Sequence, residues 1–267
     1  MRLGALYERS VYYVQRVARL RVSLYAANAC YFLVLSAFPM LILLLNFLRW
    51  MGLRADSLIQ LLAAFFPQAL LPGIQKLVQT TYRASSGVLL SVSAFAALWS
   101  AGRGIQGLRT GLNSMYRVRE DRGYFYTRWI SVGYTFAFLA VLMLTLVLHV
   151  FGGELQLPEG LAFLLKLPDM RFFILLFLQT ALFAAMYTVL PNRKNRVRDA
   201  FPGAMLASLG WMVFSDLFSF YVSFAPGYTA AFGSAYTIAM GMLWLYFCVS
   251  IIFYGGALNR FLSANSD

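Results

Sequence analysis

SVSAFAALWSAGRGIQGLRTGLNSMYRVRE, running from Ser91 to Glu120, is the stretch whose reading decides the fold. Wound as a helix at about 100° per residue, it gathers its polar and small residues into one stripe. Ser93, Ser100, Arg103, Gln106, Gly107, Thr110 and Asn113 lie there, while Phe95, Leu98, Trp99, Ile105, Leu108 and Leu112 cover most of the rest. The stripe begins in apolar sequence and ends in a basic, tyrosine-containing run. An arginine at that depth needs a partner, water or a route to the surface.

Working outward, the apolar runs on either side set the class. The chain has 267 residues, of which 61% are hydrophobic and 12% charged, against roughly 25% charged in a soluble domain. Several runs approach or exceed the roughly 20 residues that cross a hydrocarbon core. The expected fold is all-α: a polytopic membrane protein with transmembrane helices at about 24–50, 87–110, 129–151, 171–190, 201–224 and 235–262. Residues 1–23 read as a cytoplasmic amphipathic helix and 263–267 as a tail. The first outer loop, 54–86, reads as two short amphipathic helices broken by Pro67 and Pro72.

The formal net charge of +12 invites a nucleic-acid reading, but the charges sort by loop. Arg2, Arg9, Arg16, Arg19 and Arg21 precede the first span; Arg117, Arg119, Arg122 and Arg128 follow the second; Arg193, Lys194, Arg196 and Arg198 lie between the fourth and fifth. The alternate loops are poorer, and Phe224 to Ser234 carries no charge. That alternation follows the positive-inside rule and places both termini in the cytoplasm. The expected partners are membrane lipids, including anionic headgroups at the cytoplasmic face, with no nucleic acid and with homo-oligomer formation left open. Cys30 and Cys248 fall within apolar runs without metal-ligand spacing and read as small hydrophobes. No cofactor or metal is expected.

Four passages resemble the YihY/BrkB family of bacterial inner-membrane proteins, once labelled ribonuclease BN. They are AANACYFLVLSAFPMLILL (Ala26 to Leu44), SVSAFAALWSAGRGIQGLRTGLNSMY (Ser91 to Tyr116), YTVLPNRKNRVRDAFPGAMLASLGW (Tyr187 to Trp211), and FSFYVS with WLYFCVSIIFYGGALN (Phe218 to Ser223, Trp244 to Asn259). The resemblance implies six transmembrane helices and cytoplasmic termini. The chain departs from it at Gly255, Gly256 and Ala257, where many relatives read GAE.

The candidate site residues are Arg103, Gln106, Asn113, Asp216 and Ser219. Asp216 is the one acidic residue inside an apolar run, and it shares a broad face of the fifth span with Ser208, Ser215, Ser219 and Ser223. If the stripes of the second and fifth spans face each other, Arg103 and Asp216 meet and line a cavity for an anionic or amphipathic substrate. A transporter or lipid-handling protein is the expectation. Residues that merely hold helices together, and a non-catalytic scaffold recruiting partners, are the alternatives. An enzyme is not expected: His149 lies at the outer end of the third span, and no nucleophile motif or phosphate loop is present.

Overall fold

The structure, a computed structural model, describes residues 20–50, 52, 55–63, 66–84, 87–123, 125–134, 137, 168–224 and 226–263. Every regular element among them is helical. In chain order these are α1 (Val22–Trp50), α2 (Ala55–Ala63), a 3₁₀ turn (Gln68–Leu70), α3 (Leu71–Ala84), α4 (Gly87–Tyr116), α5 (Pro168–Val189), α6 (Val197–Ser223) and α7 (Pro226–Ser263). Residues 125–134 form a further helical segment. The amphipathic helix expected over 1–23, most of the span expected at 129–151 and nearly all of the tail lie outside the described residues.

Among the described residues, two helical stretches are long and apolar enough to cross a bilayer, Val197–Ser223 and Ala235–Ser263. Val22–Ser36 and Leu176–Val189 are shorter apolar stretches within α1 and α5. The uncharged segment before residue 235 reads from sequence as a connection, yet α7 is one helix of 38 residues starting at Pro226. A proline suits the first helical position, where its missing N–H would have had no partner in any case. Glycine at position 227 then fails to break a helix already begun.

α7 organises the bundle. It packs against α6 on one side and against α1 and α4 on the other, while α5 packs on α6. The tightest approaches are made where a side chain is missing. A Cβ on Gly107 would stand 2.9 Å from the Ala29 Cα, so α4 and α1 meet nearly backbone to backbone. One turn on, a Cβ at Gly111 would run into the Phe253 ring of α7. The GxxxG pair of α4 therefore serves two neighbours rather than one. Between α6 and α7, Gly203 and Gly255 approach so closely that a Cβ on Gly255 would lie 2.6 Å from the Gly203 carbonyl oxygen.

Polar side chains tie the same helices. Asn259 of α7, 2% exposed, accepts a hydrogen bond from the Gly203 N–H at 2.6 Å and donates to the Ala200 carbonyl at 3.0 Å. The Tyr187 hydroxyl of α5 donates to the Ile252 carbonyl of α7 at 2.6 Å. The Cys30 thiol, buried as expected, donates to the Met242 carbonyl.

Candidate functional site

The two charges expected to pair do not form an ion pair. Arg103 is exposed and lies over the Phe32 ring of α1, 5.7 Å from its centroid. Asp216 is exposed on α6, on the same outward face as Val213, Leu217 and Phe220. The helices carrying them have different principal neighbours: α4 packs on α1 and α7, α6 on α7 and α5. The geometric reason is that Asp216 follows Ser215 by one residue, about 100° around the helix. Ser208 is fully buried and the Ser215 hydroxyl accepts from the Trp244 indole, so they take the inner side and leave Asp216 outside.

The stripe on α4 divides in a similar way. Asn113 and Gly107 are buried, whereas Arg103, Gln106 and Thr110 are exposed. With Trp99 above them and Ser114 and Arg117 below, they form a narrow line within about 80° of arc. Between residues 102 and 116, Arg103, Gln106 and Thr110 are the exposed positions whose side chains the structure describes. Over residues 102–116, α4 is thus enclosed on every side but one, and that side is polar. From Arg103 to Arg117 the line runs roughly 21 Å at 1.5 Å per residue.

The line ends in a cavity of about 370 Å³ lined by Tyr25, Arg109, Thr110, Asn113, Ser114, Arg117, Val118 and Glu120. Arg109 is 6% exposed, and its Nε and Nη1 have no hydrogen-bond acceptor. Its charge is met by Glu120, whose Oε2 lies 3.4 Å from Nε. That carboxylate is otherwise occupied. It accepts from Arg122 Nε at 2.7 Å and Nη2 at 2.9 Å, and from the Asn113 amide at 2.8 Å. Partial burial pushes the Glu120 carboxyl up, but the hydrogen bonds from Arg122 and Asn113 and the charges of Arg109 and Arg122 outweigh it. The net effect holds its pKa below the ordinary carboxylate range, so Glu120 is ionised at neutral pH.

The turn that carries Glu120 back to Arg109 is a Schellman motif. The Val118 N–H bonds the Asn113 carbonyl at 2.9 Å and the Arg117 N–H bonds the Ser114 carbonyl at 3.1 Å. The left-handed residue such a turn needs is usually glycine; here it is Arg117, with φ at +53°. A side chain in that conformation costs about 1–2 kcal/mol. The turn is strapped to the loop before α6: Arg122 Nη2 donates to the Leu190 carbonyl at 2.8 Å, and Asn192 donates to the Arg119 carbonyl at 2.8 Å and to the Asp121 carboxylate. Arg260, near the end of α7, donates to the Met115 carbonyl. The basic segments after α4 and before α6 therefore meet at one end of the bundle.

Of the expected site residues, Asn113 lines the cavity, Arg103 and Gln106 stand on the line leading to it, and Asp216 and Ser219 belong to neither. Arg109 and Glu120 carry the cavity's chemistry and were not among the expected residues. Their signal was an arginine on the apolar side of α4, with an asparagine four residues on and a glutamate seven beyond that.

Comparison with known proteins agrees with a membrane protein. The family described as Virulence factor BrkB matches residues 13–267. The chain is 32% identical over 243 residues to the putative ribonuclease-like protein YfkH of Bacillus subtilis (strain 168), covering 89% of this chain and 88% of that one. It is 29% identical over 188 residues to a UPF0761 membrane protein of Pseudomonas paraeruginosa, covering 67% of this chain and 42% of the relative. A UPF0761 membrane protein of Actinobacillus pleuropneumoniae serotype 5b shares 24% identity over 166 residues, 61% of this chain and 59% of the relative. No solved structure matches. With a family match reaching from residue 13 to the last residue, the chain is a membrane protein belonging to the BrkB family.

Proposed function

We propose that this protein handles an anionic or amphipathic membrane molecule, whose charged head moves along the polar line of α4 and rests in the cavity at the line's basic end. On the positive-inside rule that end faces the cytoplasm of a bacterial inner membrane. The observation that carries the reading is the polarity of α4's open side. A helix facing acyl chains turns apolar residues outward, and an arginine at the bilayer centre costs about 2.5–3.5 kcal/mol on insertion scales. Arg103, Gln106 and Thr110 occupy the side from which α4 can be reached. Water or polar headgroups are the media that make such a side inexpensive. The tails of an amphipathic substrate would stay in the bilayer while its head followed the line. No covalent bond is broken in this activity.

The test is lipid movement in proteoliposomes containing a fluorescent anionic lipid, with the combined Gln106→Leu, Thr110→Val variant beside the wild type. Both substitutions fall on exposed positions, so folding is expected to survive. Movement is expected to slow at least about tenfold, equivalent to about 1.4 kcal/mol in the barrier. An unchanged rate in the variant, or a wild-type rate equal to that of protein-free vesicles, would count against the proposal. A scaffold would give the second of these results.

A further inference from the structure

We infer that Arg103 of one copy pairs with Asp216 of a second copy, so that the chain self-associates with α4 of one protomer seated against α6 of the next. The inference goes beyond the proposed function and does not rest on it. It begins with two opposite charges left unmatched within the chain. Asp216 is exposed, has no hydrogen-bond or ion-pair partner among the described residues, and shares its outward face with Val213, Leu217 and Phe220. Arg103 is exposed over the Phe32 ring, also without a carboxylate among the described residues. Trp99 and Leu35, one turn from Arg103 and from Phe32, are exposed and apolar. Each charge thus stands in an apolar surround on a span, where ionisable groups ordinarily turn toward a partner. Apolar side chains suit lipid as well as protein, so the charges, not the apolar area, select what covers these two faces.

Depth decides whether the two can meet. Copies in one membrane share its orientation, so a residue on one meets only residues at its own level on the other. α7 lies between the two helices and serves as the scale. The Trp244 indole donates to Ser215, which levels Asp216 with about residue 243 of the antiparallel α7. Arg103 is reached by two routes. Gly111 faces Phe253 and Arg260 bonds the Met115 carbonyl, so α4 runs parallel to α7 and Arg103 levels with about residue 245. Through α1, which runs the other way, Phe32 lies under Arg103 and Cys30 bonds the Met242 carbonyl, giving about residue 240. The two routes bracket Asp216, and the charges share a level to within roughly 5 Å at 1.5 Å per residue. A second cation stands at that level. The Arg128 guanidinium lies against Gly102, 4.6 Å from the Trp99 ring centroid, and donates to the Trp99 carbonyl at 3.2 Å. A carboxylate arriving from outside offsets the repulsion between the two arginines. Because α4 and α6 flank α7 on different sides, the contact is heterologous: each copy offers α4 to one neighbour and α6 to another. It takes the end of the polar line away from the cavity.

The experiment is cross-linking between two differently tagged full-length copies, co-expressed in native membranes with Cys30 and Cys248 replaced by alanine. α4 and α6 run in opposite directions, so setting Arg103 against Asp216 brings Gln106 opposite Val213. One copy carries Gln106→Cys and the other Val213→Cys, which leaves both charges in place, and a short bifunctional maleimide joins them. The mixed dimer is expected at least about tenfold above a control pair of Gln106→Cys with Phe177→Cys, on the exposed face of α5. Adding Asp216→Arg to the Val213→Cys copy sets like charges together and is expected to return the yield to the control level. Adding Arg103→Asp to the other copy then reverses both signs and is expected to restore the dimer, which a merely misfolded variant would not do. A yield at the control level with the native charges, the result if lipid alone covers the two faces, overturns the inference. So does an undiminished yield with Asp216→Arg, or a loss that the paired reversal does not regain.

Discussion

Asn259→Leu is expected to lower the unfolding free energy by roughly 3 kcal/mol, from the loss of two buried hydrogen bonds between helices and from overpacking. Leucine copies the branching of asparagine but is bulkier, and the Asn259 side chain already lies tight against Gly203. Asn259 accepts from the Gly203 N–H and donates to the Ala200 carbonyl, both in the early turns of α6. The asparagine thus ties the two helices at the point where Gly203 and Gly255 bring α6 and α7 together. Leucine can make neither bond and presses a larger side chain against the same joint. Chemical unfolding in detergent micelles measures the loss, and a change below about 1 kcal/mol, the ordinary scale of one net hydrogen bond, would contradict this view of the α6–α7 joint.

Glu120→Ala has the second-largest expected effect, about 2–3 kcal/mol. Breaking a buried ion pair by removing one partner is costed at about 3–5 kcal/mol. The Glu120 side chain is 25% exposed, and solvent screening reduces the figure. What remains is an Arg109 charge buried without a counterion, and an Asn113 amide and an Arg122 guanidinium deprived of their acceptor. Because Arg122 also holds the Leu190 carbonyl, the turn after α4 should come away from the loop before α6. Limited trypsin digestion reads this directly, with cleavage after Arg119 and Arg122 expected to become much faster. Digestion at the wild-type rate would mean that the Asn192 bonds hold the two loops together without Glu120.

How far the sequence reveals this arrangement depends on which interactions are local. The apolar run at 24–50 lies within two residues of α1 (Val22–Trp50), because length and hydropathy are properties of one segment. The interrupted helices at Ala55–Ala63 and Leu71–Ala84 follow from Pro67 and Pro72 in the same way. The polar stripe of α4 is legible too, down to Arg103, Gln106 and Thr110. The pairing of stripes is not. Which side of α6 faces inward is set by Gly203 and Ala207 against α7, and that choice turns Asp216 out. The cavity is hidden for a different reason. Arg109 and Glu120 meet through a left-handed Arg117, and a non-glycine residue gives no sequence sign that the chain reverses there.

The central claim is that the open side of α4 is wet, or lined by headgroups, within the membrane. The most direct measurement is the reactivity of single cysteines in native membranes toward a charged, membrane-impermeant thiol reagent. Cys30 and Cys248, both buried, would first be replaced by alanine. Cysteines at Arg103, Gln106 and Thr110 are expected to react, while those at Val213 and Leu217, on the outward face of α6 that is apolar but for Asp216, are expected to stay unmodified. Silence at all three α4 positions, or equal reactivity at Val213 and Leu217, would contradict it.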